Sequence, residues 1–237
     1  MASVALLEGD RCLQMLESDS QKSHAEVLHV FTERILKKEK TNLHDIDLFV
    51  TGCGPGSFTG IRVSLNIAKS FSFAFQKPLV AIDSLTILAE LNKSLAENLN
   101  KTKGQNLKIL SLINAYKNMS YYSLFETSAA NSPKVLKGPS VIPMKDIETL
   151  LKEPVFAVGD GYLTYQKFLP ESLLQKMHRL PQIIDYPRAD VLGTLAYDKA
   201  RLGLTLDWKS VQPLYIRSSE AEENKRGIIW SPIDFKE

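Results

Sequence analysis

A two-part α/β fold is what the sequence predicts, and three observations predict it. Short apolar runs alternate with amphipathic stretches in the order strand, loop, helix, strand, helix, the pattern of a layered sheet with parallel pairing. A polar, Lys- and Asn-rich stretch from Asn92 to Gln105 separates this series from a second one. The second series opens with two apolar runs around a short polar loop, the pattern of a hairpin. The predicted units are residues 1–103 and 104–217, with a charged tail over 218–237.

Ser3 to Leu7 reads as a strand, Gly9-Asp10 as a turn and Arg11 to Glu17 as the hairpin partner. Ser23 with Glu26 three residues on makes a capping box for a helix whose stripe is Leu28, Phe31 and Ile35, widened by Val27 and Val30. Lys37, Lys38 and Lys40 suit the negative end of that helix. Asp47 to Thr51 is a buried-type strand that runs into a glycine-rich loop and a helix from Thr59 to Phe75, which Lys77-Pro78 ends. Leu79 to Ile82 is the next strand, and Asp83-Ser84 caps a helix that runs at least through Leu91. Leu107 to Ile113 and Met119 to Phe125 form the hairpin, followed by a strand near Val135, a helix from Lys145 to Lys152 and a strand Val155 to Val158. Gly159-Asp160-Gly161 is a sharp turn, Ala189 to Arg201 a late helix, and Pro213 to Ile216 a last apolar run.

Composition excludes several classes. Lys plus Arg is 29 and Asp plus Glu 27, a formal net charge of +2, too small for a broad phosphate-binding face. Hydrophobic residues at 44% and charged ones at 24% match globular usage and exclude wholesale disorder. Apolar stretches are interrupted within about ten residues, against the about 20 that a membrane helix needs. Cys12 and Cys53 cannot make a disulfide framework, and no signal segment opens the chain, so a cytoplasmic protein with reduced thiols and no membrane contact is expected.

The segment Gly54-Pro55-Gly56-Ser57-Phe58-Thr59-Gly60-Ile61-Arg62 is the most informative. Glycines after a strand and before a helix permit positive φ and close backbone approach. It is no P-loop, since Ile61 follows Gly60, and the spacing of Gly54, Gly56 and Gly60 is not the dinucleotide fingerprint. Anion binding at the helix N-terminus and a purely structural turn both remain open. Along the next helix, Gly60, Ser64 and Ala68 form a strip of small side chains, continued by Ile67, Phe71 and Ala74. That strip packs either on the preceding helix of the same chain or on a partner. Ser57 at the strand-to-helix bend lacks the Gly-x-Ser-x-Gly pattern of a nucleophile elbow and reads as a cap, with hydrolysis as the rival. His24, His29, His44 and His178 form no metal-binding pair, Asp160 fits turn chemistry, and the tyrosines 116, 121, 122 and 215 are scattered. No catalytic residue and no metal ligand is assigned.

The loop from Gly54 to Arg62, with Ala68-Lys69 in the same helix, resembles the signature of the bacterial TsaB family. Ser23-His24-Ala25-Glu26, Asp83-Ser84-Leu85, Gly159-Asp160-Gly161 and Tyr215-Ile216-Arg217 agree in order and spacing, so the resemblance covers nearly the whole chain. It implies an ASKHA-type, actin-like fold of two ribonuclease-H-like lobes without a working active site. It implies a scaffold for the paralogue TsaD, which holds the metal and transfers a threonylcarbamoyl group to the adenosine next to the tRNA anticodon. The ATPase TsaE joins the assembly and TsaC supplies the activated group. No cofactor is expected on this chain alone; ATP and metal belong to the partner subunits. The resemblance assigns pairing with TsaD, or a homodimer without it, to the helices after Ser23 and Ser57, with Leu28, Phe31, Ile35, Gly60, Ser64, Ile67, Ala68 and Phe71 at the seam. Contact with tRNA is implied only through the complex, and Arg62 is a candidate contact to a nucleotide or the partner, or a surface ion pair.

Two departures stand out. Family members begin with a strand ahead of the segment matched by Ala2 to Leu7, so that first, central strand is expected to be missing here. Asn114-Ala115-Tyr116-Lys117 stands where the family often has an acidic residue and an arginine. The rival functions are an ASKHA-type phosphotransferase using the Gly52 to Gly56 loop, and a peptidase using Ser57.

Overall fold

The Gly9-Asp10 turn closes the predicted hairpin: β1 (Ala2–Glu8) runs antiparallel to β2 (Arg11–Ser18), with Ala2 opposite Ser18. The structure, a computed structural model, describes residues 1–18, 24–128 and 131–217. The capping box at Ser23 lies outside the described residues. α1 (His24–Glu39) carries Lys37 and Lys38 in its last turn, as the dipole favours. β3 (Phe49–Gly52) pairs in parallel with β4 (Leu79–Ile82), and α2 (Phe58–Phe75) makes the crossover between them. α3 (Ser84–Lys103) begins where Asp83 Oδ1 accepts from the Thr86 N–H at 2.9 Å.

α3 extends well past Leu91, so the polar stretch from Asn92 is mostly helix and no linker. Asn92 explains the difference. Its side chain is buried, donates to the carbonyls of Leu88 and Ile184, and accepts from the Ile184 N–H at 3.0 Å. A buried polar group with every bond made is tolerated inside, so polarity along the sequence misplaces it. The second sheet has five strands in the order β7-β6-β5-β8-β9. They are β5 (Lys108–Asn114), β6 (Met119–Ser128), β7 (Asn131–Pro143), β8 (Val155–Val158) and β9 (Met177–His178). The expected helix near Lys145 is a 3-10 segment, Met144–Leu150, that buries Met144, Ile147 and Leu150 at a three-residue repeat. α4 (Asp160–Tyr165) and α5 (Glu171–Leu174) are short, and α6 (Ala189–Arg201) matches its predicted bounds.

The chain divides into two units, but not at residue 103. The first is built from residues 1–87 and 187–214, the second from 88–186 and the described residues from Tyr215 onward. α6 returns to the first unit because Val191, Leu192, Leu195 and Ala196 pack on Val80 and Ile82 of β4 and on Val50 of β3. The amide of Ala189 donates to Ser3 Oγ, and Gly193 sits so close to Leu7 that an added Cβ would lie 2.6 Å from its Cδ1. In the first unit a second cluster gathers Phe49, Ile61, Leu65, Ala68, Leu79 and Val211 between α2 and its sheet. In the second unit a core cluster runs from Leu110 and Leu112 through Ile147 and Leu151 to Leu173 and Met177, and Ile109, Phe125 and Phe156 are fully buried as well. Among the described residues no helix is long and apolar enough to cross a membrane.

Candidate functional site

The signature loop is a tightly held turn. Gly54 has φ +99°, and a Cβ there would meet Ile61 Cδ1 at 2.6 Å and the Leu214 carbonyl oxygen at 3.2 Å, so both conformation and space require glycine. The Gly54 carbonyl accepts from the Ser84 N–H at 2.7 Å and the Cys53 carbonyl from the Leu214 N–H at 2.8 Å. Pro55 is buried, and the Gly54–Pro55 peptide is cis. Ser57 is the N-cap of α2, its Oγ accepting from the Gly60 N–H at 3.3 Å. That bond is the cap expected from sequence. Phe58 and Arg62 stack, the guanidinium carbon 4.0 Å from the ring centroid, while Thr59 and Arg62 face solvent.

Burial pushes the Cys53 thiol up to about 11, and the nearby Asp83 carboxylate acts in the same direction. A thiol so placed stays protonated and unreactive near neutral pH. In the second unit Gly159 has φ +105°, and a Cβ on it would lie 2.0 Å from the Leu112 carbonyl oxygen, so the Gly-Asp-Gly turn seats against β5. Burial raises the Asp160 carboxyl above its usual range, against the Asn114 N–H that donates to it at 3.0 Å. Asp185 accepts from the Gly159 N–H at 2.7 Å and from both terminal nitrogens of Arg179. The acidic groups around this turn thus hold backbone and a guanidinium. Among the described residues no group of three or more His, Cys, Asp or Glu is placed to hold a metal ion.

The residues assigned to a partner seam divide into two sets. Ile35 and Ala68 are 2% and 7% exposed, and Ala68 belongs to the cluster under α2, so these two face the chain's own interior. Their assignment to a partner surface is corrected: apolar periodicity marks a buried face without saying what buries it. Leu28, Phe31, Gly60, Ser64, Ile67 and Phe71 are half-exposed. Phe71 also leans on Phe49, ring centroids 5.6 Å apart. At 100° per residue, Gly60, Ser64, Ile67 and Phe71 share one flank of α2, and Lys69 and Phe73 lie on the other. That second flank is held by the chain's own later segment: Lys69 Nζ donates to the Val211 carbonyl at 2.8 Å, and Phe73 meets the Trp208 ring edge-on. α1 packs against α2 within the chain, and Gly60, Ser64 and Ile67 stay half-exposed. Val30 on α1 and Phe73 on α2 remain 41% and 55% exposed, apolar surface that the sequence reading did not put at the seam.

A family model described as TsaD, tRNA N6-adenosine threonylcarbamoyltransferase, matches residues 17–225. The tRNA threonylcarbamoyladenosine biosynthesis protein TsaB of Haemophilus influenzae is 25% identical over 209 residues, 84% of this chain and 82% of that protein. The protein of the same name from Bacillus subtilis is 24% identical over 222 residues, 92% and 90% of the two chains. A crystal structure from Pseudomonas aeruginosa, described as an uncharacterized protein with similarity to peptidase YEAZ, superposes with a TM-score of 0.73 at 23% identity. It covers 91% of this chain and 94% of its own, and the likeness gives the chain the ASKHA-type fold expected from the resemblance.

Proposed function

Because the chain belongs to the family of TsaD, tRNA N6-adenosine threonylcarbamoyltransferase, and stands with its TsaB and YeaZ members, we propose that it serves threonylcarbamoyladenosine biosynthesis in tRNA as an accessory subunit without a reaction centre of its own. Its partner is the catalytic paralogue TsaD, with TsaE joining the assembly, and it works in the cytoplasm. ATP and metal reside on those partners, and tRNA is met through the complex. Without TsaD, two copies pair through the same surface.

The observation that carries this reading is the apolar surface on α1 and α2, with Val30 exposed and Leu28, Phe31 and Ile67 half-exposed on two packed helices. Two helices side by side offer a broad, rigid face, and rigid faces lose little entropy on association. Burying about 800 Å² on each partner is the scale of a stable pair. At about 25 cal/mol per Å², the apolar share of that area outweighs the cost of association. Packing of this kind holds the paralogue's matching helices in place and so orders its catalytic lobe.

The test is co-elution of this chain with TsaD from the same organism on gel filtration. Ile67→Glu and Phe31→Glu put charge on half-exposed positions and are expected to abolish co-elution while the far-UV circular dichroism of the free chain is unchanged. A complex that survives both substitutions refutes the reading.

A further inference from the structure

Beyond β4 the first unit adds one short extended segment and leaves it open to solvent. Leu206 pairs antiparallel with Leu79, donating its N–H to the Leu79 carbonyl at 2.8 Å and accepting from the Leu79 N–H at 2.9 Å. Directly opposed residues share a face of the sheet, and Leu79 belongs to the cluster under α2. Leu206 therefore lies on the α2 side, one strand beyond β3 and β4, on which α2 packs. Leu204, two residues back along an extended run, shares that side. Leu202, Leu204 and Leu206 are 45–74% exposed. Phe73, on the outer flank of α2, is exposed as well, and its ring meets half-exposed Trp208 with centroids 5.0 Å apart. These five side chains offer roughly 400 Å² of apolar surface, the size of patch that marks an interface on a monomer.

The backbone edge beside them is short and unguarded. Leu206 turns its N–H and its carbonyl to β4, so an extended chain turns those of Thr205 outward. Among the described residues neither group of Thr205 takes a backbone bond. The Leu204 N–H donates to the Lys199 carbonyl at 2.9 Å, which ends the edge on that side. On the other side the Asp207 carboxylate accepts from the Lys209 and Ser210 N–H groups, folding the chain into a turn. Natural sheets guard open edges with lysine and proline. β7, the outer strand of the second sheet, carries Pro133, Lys134, Lys137, Pro139 and Pro143, whereas Leu204, Thr205 and Leu206 offer neither.

We infer that this edge is a contact between two copies of the chain, paired antiparallel about a twofold axis at Thr205. One outward N–H and one outward carbonyl suit a twofold mate. Each Thr205 gives its N–H to the carbonyl of the other, and all four groups are satisfied. A foreign extended peptide draws its affinity from a run of main-chain bonds, and an edge one residue long supplies no run. A second copy instead brings the apolar patch twice. Leu204 of one copy comes to lie opposite Leu206 of the other, and both pairs close over the axis. With both patches covered, roughly 800 Å² of apolar surface leaves water, and a polar rim brings the total to the low end of specific interfaces. The pairing is therefore weak and depends on concentration. It uses the flank of α2 opposite Gly60, Ser64 and Ile67, so it is independent of the partner face proposed above.

Disulfide trapping on the full chain tests the geometry. Opposed residues that exchange both bonds hold their Cα atoms about 5.5 Å apart, a span that a disulfide bridges. In a Cys12→Ser background, Thr205→Cys is compared with Ser210→Cys, an exposed position a few residues further on. Under mild oxidation at micromolar protein, Thr205→Cys is expected to cross-link two copies about 10-fold faster or more, because pairing raises its effective concentration. Sedimentation supplies the second measurement, in an Ile67→Glu background that charges the other face of α2. There Leu204→Lys with Leu206→Lys brings like charges together at the axis and is expected to weaken self-association about 100-fold or more. Cross-linking no faster at 205 than at 210, or self-association unmoved by the two lysines, overturns the proposal. So does loss of the Thr205→Cys cross-link on Ile67→Glu, which makes the two faces one. A parent chain that stays monomeric across the micromolar range, as it would with its own tail over the patch, overturns it too.

Discussion

Ala68→Glu and Ile67→Glu, adjacent on α2, separate folding from pairing. Ala68 is 7% exposed among Phe49, Leu65, Leu79 and Val211, so a glutamate there displaces packed side chains and takes a carboxylate out of water. The cheaper escape is protonation, which from a usual pKa of about 4.3 costs about 3.7 kcal/mol at pH 7. Overpacking adds about 1–3 kcal/mol. A loss of about 5 kcal/mol lowers the melting temperature by about 10–20 °C for a chain of this size. The sign with pH is fixed. The buried carboxyl has its folded pKa above the unfolded value, so the penalty grows as pH rises from about 4.3 and shrinks by about 2.7 kcal/mol between pH 7 and pH 5. Thermal melts by circular dichroism at both pH values read this directly. A melting temperature for Ala68→Glu within about 2 °C of the parent at pH 7 refutes the inward placement of this face.

Other expectations follow from single features. Cys12 is exposed, whereas Cys53 is half-buried with its thiol pushed up to about 11, so thiol labelling of the folded chain at pH 8 is expected to modify Cys12 faster than Cys53. Equal labelling refutes the placement. Asp160→Asn keeps an acceptor for the Asn114 N–H and removes a carboxylate whose pKa burial raises. The parent loses stability as pH rises through the window above the usual carboxylate range, and the variant's urea midpoint is expected to lose that slope. Tyr116, Lys117 and Asn118 sit in succession at φ of 57°, 50° and 60°, and left-handed backbone costs a side-chain-bearing residue about 1 kcal/mol or more. Lys117→Gly is therefore expected to raise the urea midpoint by about 1 kcal/mol equivalent. A lower midpoint contradicts the backbone argument.

Local signals were readable along the chain. Gly9-Asp10, the alternation around it and the loop at Gly54 gave a hairpin and a strand-to-helix turn close to their observed bounds. What escaped were facts set by distant contact. The stretch after Leu91 looked like a boundary because nothing local tells that Asn92 finds Ile184. α6 was legible as a helix, but its apolar stripe does not name the sheet it covers, and it belongs with β4. The candidate seam suffered the same ambiguity, since Ile35 and Ala68 look from spacing like Leu28 and Ile67, and only packing turns the first pair inward. The Phe58–Arg62 stack carries a weak signal, an aromatic and a cation four apart on one helix.

The first unit is discontinuous along the chain, residues 1–87 and then 187–214, and this imposes an order on its birth. On the ribosome, at about 5–20 residues per second, roughly 5–20 s pass between the emergence of Ile87 and that of α6. During that interval the insert, residues 88–186, has all but its last few contributing residues in hand and can settle. The earlier strands, meanwhile, wait bare-edged for the helix that roofs them, so nascent-chain capture by chaperones should concentrate on the opening segment and cease once α6 clears the exit tunnel.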